Sequence, residues 1–531
     1  MRGAAARLAR TLADRGARSV VVRPPSRGGR NEEVASLMSQ NVVIAGWGQI
    51  TQREDHAGPL RDPLGLMEEA AQRAAAVAGG GDVLRGLDAL FVVRPLSRPP
   101  IDPARRLAAA FGASPRVVTC AGGGGHMPQL LVNRAAGMIV RGEARTVLIV
   151  GAETCCPRPT ARTAGEQAVI APIPPDDLDA DVHGVAEIER RHGLSLPIQG
   201  FPMFETALWS LSHLPLARYL ADVGAMWASF STVAADNPYA WTRTPRTAED
   251  IVTPSAQNRP LAFPYTENMV PRLAVDAGAA LIVRAAEPDG RRRQVYFRGG
   301  GYAVDRQRFL IERANYTLSA ALRIATDKAI ERAGIGLEEI DAFDLYSGFP
   351  SAVSVARRTL RLRRDDPRPL TVTGGLGFFG GPGSNYALHA IAALAEVIAA
   401  GRIEKGFASA FGGFMREQAV GVYSALPGGT DHAEHARADE AHPATAIAPI
   451  PIVEALNGRG VIETYTVIYA GDGVPSHAIL FGRTAEGRRF IARAERDPAF
   501  LDALTTTCCV GREVDVRHEG APGLNLARWP S

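Results

Sequence analysis

Apolar residues along this chain alternate between continuous short runs and helical spacing, and the alternation is written twice. NVVIAGWGQ, residues 41–49, predicts a buried strand, and DPLGLMEEAAQRAAAVA places apolar residues at helical spacing behind it. Residues 122–142, GGGGHMPQLLVNRAAGMIVRG, then combine a glycine-rich turn, a helix and a closing Gly142, with the strand-like TVLIVGAE following. Residues 374–401, GGLGFFGGPGSNYALHAIAALAEVIAAG, repeat that plan and close on Gly401. Upstream of each copy a helix runs into a strand, LRGLDALFVV and LEEIDAFDLYSG, with Asp88 matching Asp341. Self-similarity at such a long period predicts an internal duplication of a strand and helix unit.

Elsewhere the pattern is looser. Residues 157–271 collect Pro and aromatics, and only LARYLADVGAMWASFSTVAADN has clear helical period, so this region is expected to be an inserted loop region. Regular order returns at LAVDAGAALIV, and VYFRGGGYAV opens the second copy. The polar run at 426–446 is expected to be a linker, its three His more simply solvated than metal-binding. Beyond it, GVIETYTVIYAG, SHAILFGRT and GRRFIARAE are strand-like segments joined by Gly turns, which predict a small closed antiparallel β-barrel with a short helix at DPAFLDALT. The expected organisation is an extension over 1–40, a first half over 41–290, a second half over 291–425, the linker, and the barrel over 447–531.

Composition narrows the function classes. The net charge is +3, but residues 1–37 carry eight Arg against Asp14, Glu32 and Glu33, a balance of +5 that leaves −2 for the rest. A near-neutral body gives no footprint for nucleic acid. That leader reads either as an organelle transit peptide or as a disordered start, with the second favoured. No apolar run is long enough to span a membrane, because even YALHAIAALAEVIAAG carries His389 and Glu396. The five Cys include two adjacent pairs and no metal-ligand spacing, which fits a cytoplasmic protein with no metal and no cofactor.

Several separate stretches resemble one family. MIVRGEARTVLIVGAE, NPYA at 237–240, RPLAFPY at 259–265, VDAGAALIV at 275–283 and GGP near Gly380 are similar, in that order, to the thiolase superfamily, and most to its sterol-carrier-protein branch of acetyl-CoA acetyltransferases. The tail resembles the additional domain of thiolase-like proteins type 1. The resemblance implies an α/β fold of two similar halves in five layers (αβαβα), with two central helices buried between sheets. It also implies acyl-CoA as the ligand or substrate and a monomer or homodimer as the assembly. In this family a Cys at the start of the first buried helix becomes a thiolate near the helix N-terminus, a His activates it, and a second Cys moves protons.

Register along those motifs replaces every one of these groups. The nucleophile position falls on Gly125, the activating His on Gly381 of Gly380-Gly381-Pro382, the proton shuttle on Ser409, and the strand-end Asn or His on Tyr346. Glycine forms no acyl-enzyme, so ordinary thiolysis is not expected. Any chemistry would be non-standard carbon–carbon bond making or breaking on a CoA thioester, with Tyr346, His126 and Ser409 as acid or base groups. Gly125, Gly380, Gly381, Gly412 and Gly413 would approach the substrate through their backbone. The alternative is a non-catalytic scaffold or acyl-CoA sensor acting through the barrel. Cys120, five residues before Gly125, reads as strand packing rather than as nucleophile, and Tyr386 is a weaker candidate than Tyr346. Arg291–Arg293 and Arg357–Arg364 read as solvated faces in preference to phosphate contacts.

Overall fold

The computed structural model describes residues 41–530 except 57, 98, 158–183, 288–292, 430–431, 445–449, 495–496 and 521–522. The leader and its two readings lie outside the described residues.

The first half contributes strands β1 (Val42–Thr51), β2 (Ala89–Val93), β3 (Val117–Ala121) and β4 (Thr146–Thr154). The short strands β5 (Pro260–Ala262) and β6 (Tyr265–Thr266) belong to the insertion, and β7 (Asp276–Ala285) completes the half. The second half is built of β8 (Tyr296–Asp305), β9 (Ala342–Asp344), β10 (Lys405–Gly412) and β11 (Glu417–Ser424). The order β3-β2-β4-β7-β1 of one half is matched by β9-β10-β11-β8 of the other. In both, a parallel pair (β2 with β4, β9 with β10) is followed by antiparallel neighbours. The place of a second β3 is taken by Pro369 and Leu370, whose carbonyls accept from Phe343 and Leu345 at 2.9 and 3.0 Å. Pro367 and Pro369 remove the donors that a full ladder needs.

The duplication reaches single atoms. Asp88 Oδ2 accepts from the amides of Arg145 and Thr146 at 2.8 and 3.1 Å, and Asp341 Oδ2 accepts from Glu404 and Lys405 at 2.9 and 2.9 Å. Each carboxylate thus ties the turn after a buried helix to the strand beside it. Helix α1 (Pro63–Ala78) covers the first sheet, started by Asp62, which accepts from Gly65 N at 2.8 Å. It lies so close that a Cβ on Gly46 or Gly48 would stand 2.1 Å from the carbonyls of Ala74 or Ala70. In the second half Gly299 and Gly301 meet Ala329 and Ala325 in the same way.

The two helices predicted to be buried form α2 (Met127–Val140) and, later in the chain, Tyr386–Ala399. One core joins both to the inner faces of the two half-sheets, through Leu131, Leu388 and Ile391 against Ile149, Leu281, Phe297 and Tyr423. With α1 on one outer face and Ala320–Ala333 on the other, the body has the five layers expected.

Among its described residues the insertion holds two long helices, where one was expected. Besides α4 (Leu216–Asp236), residues Pro197–Ser212 form the 16-residue α3, with Pro202 inside it. Most of α3 is buried, so its apolar residues show no one-sided period to read. Its buried length packs against the second half and against the barrel. The segment expected as a linker supplies, where described, a short helix at His432–His435 and the strand β12 (Ala441–Ala444), which pairs parallel with β8.

The tail forms β13 (Gly458–Tyr469), β14 (Pro475–Arg483), β15 (Arg489–Ala494), β16 (Glu513–Glu519) and β17 (Leu524–Arg528). Their order β14-β15-β17-β16-β13 closes by pairing β13 with β14. The closed barrel is as expected but not wholly antiparallel. Beta-15 and β17 run parallel, because the helix Pro498–Thr506 carries the chain across the barrel between β15 and β16. The insertion joins this sheet: β5 pairs with β13 at Ala262 and Ile468, and Phe263 N donates to Val467 O at 2.8 Å.

Candidate active site

Tyr346 lies two residues after β9, in the loop that leads into α5 (Pro350–Thr359). Its ring lies edge-on to Phe411 at 4.6 Å and to Tyr386 at 5.5 Å. Its phenol oxygen stands 2.2 Å from the point a Cβ on Gly125 would take, and the Phe411 carbonyl oxygen is 2.6 Å from that point. The space beside the start of α2, which a side chain on residue 125 would take, is therefore filled by the phenol. Burial alone pushes the Tyr346 hydroxyl well above its ordinary pKa, so the group stays a neutral hydrogen-bond donor. Ser409, on β10, uses its Oγ to accept from the Tyr346 amide at 3.3 Å.

His126 caps α2 and is fully buried, stacked on Tyr302 with ring centroids 5.8 Å apart. It faces Gly412. A Cβ there would stand 2.4 Å from His126 Nδ1 and 2.9 Å from Glu417 Oε2, so imidazole and carboxylate share one small space. Glu417 is buried and paired with Arg416. Gly413 follows with a φ of 55°, turning the chain back into β11.

Gly380 and Gly381 lie apart from this cluster. Gly381 faces Leu273 and Leu376, and its amide donates to the Arg272 carbonyl at 2.9 Å. That N–H is spent within the fold, which removes it from the amides available to a substrate oxygen. Gly380, with φ 113°, packs against Val275. Gly124 N donates to Ser384 Oγ at 2.7 Å, which ties the starts of the two buried helices together.

Two buried carboxyls were not singled out in the sequence. Asp344 accepts from Tyr386 Oη at 3.0 Å, Thr371 Oγ1 at 3.0 Å and the Val372 amide at 2.9 Å, and burial raises its pKa. Tyr386 is thereby held in a structural network beneath Tyr346. Glu205 of α3 accepts from Tyr265 Oη at 2.7 Å and from Tyr219 Oη, while Ser351 Oγ lies 2.7 Å from the same Tyr265 oxygen. Burial raises Glu205 to about 6 against the lowering of its two phenols. Its signal was a lone acid within the apolar run FPMFETALW. Cys120 packs against the outer core with Val92 and Leu107, as strand packing requires. Among the described residues no group of three or more His, Cys, Asp or Glu converges as a metal site.

A family model described as the thiolase-like protein type 1 additional C-terminal domain matches residues 443–521. The crystal structure of a monomeric SCP2-thiolase-like protein type 1 from Mycobacterium smegmatis is 31% identical, with a TM-score of 0.77, over 93% of this chain and 99% of that one. The chain belongs to the SCP2-thiolase-like protein type 1 family. Its wider fold is that of an Ltp2–ChsH2(DUF35) aldolase (18% identity, TM-score 0.56, 73% of this chain and 99% of that one). It is also that of human mitochondrial 3-ketoacyl-CoA thiolase in complex with CoA (16% identity, TM-score 0.52, 73% and 98%). No curated protein matches the sequence. Among the described residues no helix of this thiolase-like protein is long and apolar enough to cross a membrane.

Proposed function

We propose that this thiolase-like protein binds a CoA thioester of the acyl-CoA class and does not cleave it by the Cys-dependent route. The observation that carries the reading is the Tyr346 phenol in the space that a side chain on Gly125 would need. Acyl transfer through an enzyme thioester requires a nucleophile, an activating base and a proton carrier in register. Here those positions hold Gly125, Gly381 and Ser409, and Ser409 Oγ accepts from the Tyr346 backbone amide. What remains is a neutral phenol able to donate to a carbonyl oxygen. Such a donor polarises a thioester or ketone. Carbon–carbon bond chemistry at that carbonyl is the activity it suits, with Tyr346 as the donor and His126, beside Glu417, as the nearest acid or base. The ligand class is supported by the CoA-bound thiolase of the same fold.

A non-catalytic role is the second reading, favoured by the sheet shared between insertion and barrel at Ala262 and Ile468. The test is titration with free CoA, acetyl-CoA and long-chain acyl-CoA by calorimetry and thermal shift, followed by product analysis. Saturable binding without a new carbonyl product supports the sensor reading. Product formation that is lost in Tyr346→Phe supports chemistry, and no binding to any CoA ester overturns the acyl-CoA reading and leaves the scaffold role.

A further inference from the structure

The turn between β10 and β11, residues 413–416, touches the candidate site on both sides and is held in a strained form. Met415 is buried with a φ of 61°, a left-handed backbone that a residue other than glycine keeps only where its surroundings fix it. Just before the turn Phe411 lies against Tyr346, and just after it Glu417 shares with His126 the space beside Gly412. The turn's own bonds run from Arg416 N to Gly412 O at 3.0 Å and from Gln418 Nε2 to Met415 O at 3.1 Å, and neither reaches beyond the hairpin.

The hold from outside comes from Arg313. Its side chain is 5% exposed, and its Nη1 donates to the Phe414 carbonyl at 2.9 Å. It also faces the Asp305 carboxylate at 3.5 Å, and the Asp305 amide donates to the Arg416 carbonyl at 3.0 Å. A buried guanidinium beside a buried carboxylate has few orientations, so the carbonyl it meets is fixed with it. The Phe414 ring closes the turn from above, packed on Phe201 of α3 with ring centroids 5.6 Å apart.

Arg313 is itself held by the barrel. Arg489 Nη1, on β15, donates to the carbonyls of Ile311 and Arg313 at 2.6 Å each, and Tyr316 Oη donates to the Leu310 carbonyl at 3.0 Å. Contacts thus pass from β15 to the segment 310–313, from its guanidinium to the β10–β11 turn, and from the turn to Glu417. We infer that Arg313 is a positioning residue through which the C-terminal barrel fixes this turn and, with it, Glu417 beside His126. The coupling needs no bound ligand, so it stands apart from the CoA thioester reading.

The test uses the full chain, with hydrogen exchange by mass spectrometry on peptides covering 412–418 and NMR of isotope-labelled methionine methyls, the Met415 signal being assigned with Met415→Leu. Arg313→Met is expected to speed exchange in the turn about tenfold or more, as for loss of a charge-assisted hydrogen bond, and to shift the Met415 signal. Arg313→Lys, which keeps a cation and a donor, should restore part of both. Arg489→Lys touches neither Phe414 nor Asp305, yet should move both readouts in the same direction, and the milder Tyr316→Phe should move them less. Thr466→Val removes a different barrel bond, to the Phe263 carbonyl at 3.0 Å, and should leave the turn as it was. An unmoved Met415 signal in Arg489→Lys, or an equal change in Thr466→Val, would overturn the coupling.

Discussion

The phenol oxygen of Tyr346 and the α-carbon of Gly125 are placed so that any side chain at residue 125 must displace the tyrosine. The Cβ point of Gly125 is 2.2 Å from Tyr346 Oη and 2.4 Å from its ring carbon, well inside contact distance. The two residues are therefore coupled, because the tyrosine keeps this place only while residue 125 carries no side chain.

Gly125→Cys is expected to show no thiolysis and to lose stability, since overpacking a filled core costs about 1–3 kcal/mol. Urea denaturation of Gly125→Ala, Tyr346→Ala and the double variant should show coupling, the double losing less than the sum. Relief should be partial, because the Phe411 carbonyl also crowds the same point at 2.6 Å. Strict additivity would mean that the two residues do not compete for one space.

Arg489 anchors the barrel. It is fully buried, pairs with Glu463 at 2.6 Å, donates to the carbonyls of Ile311 and Arg313 at 2.6 Å each, and lies over the Tyr316 ring. Arg489→Met removes the cation while Glu463 keeps Arg483 at 3.0 Å, so the loss falls on the orphaned carbonyls of Ile311 and Arg313, about 1–3 kcal/mol each. Chemical denaturation checks this, and Arg489→Lys should recover only part, having one donor point in place of a fork.

Glu205 gives a signature in acid. Its pKa is raised from 4.5 to about 6, so the folded state holds a proton that the unfolded chain releases. Its contribution is complete below pH 4.5 and is lost as pH rises through 6, a span of about 2 kcal/mol. Glu205→Gln should flatten that fall in a series of denaturation curves between pH 4.5 and 6. A variant curve parallel to the parent would show that Glu205 does not carry it.

His192 acts with the opposite sign. Burial lowers it from 6.5 to about 4, against the hydrogen bond from its Nδ1 to Ile188 O, and its Nε2 accepts from the Asn525 amide of β17 at 2.9 Å. A neutral ring is required for that contact, so its contribution is present above pH 6.5 and lost as pH falls through 4. Hydrogen exchange of the Asn525 amide should accelerate, relative to its neighbours, on acidification across that window. Exchange that stays constant there would show that the bond does not depend on this histidine.

What the sequence determined by itself was the repeated architecture and its family. Asp88 with Asp341, and the two glycine turns with their helices, are local patterns whose period survives in one dimension. That residue 125 is a glycine, with no thiol to offer, is legible in the same way. The tertiary structure decided everything that depends on which distant residues meet. Tyr346 and Gly125 are far apart in the chain, and only the approach of the loop after β9 to the start of α2 puts the phenol against Gly125. The amide of Gly381 looked available until Arg272 was seen to use it. Helix α3 was hidden because a helix buried between body and barrel has no polar face, and Glu205 inside it looked misplaced until Tyr219 and Tyr265 closed around it. Periodicity records the face an element turns to water; burial on all sides erases that record, and only contacts restore it.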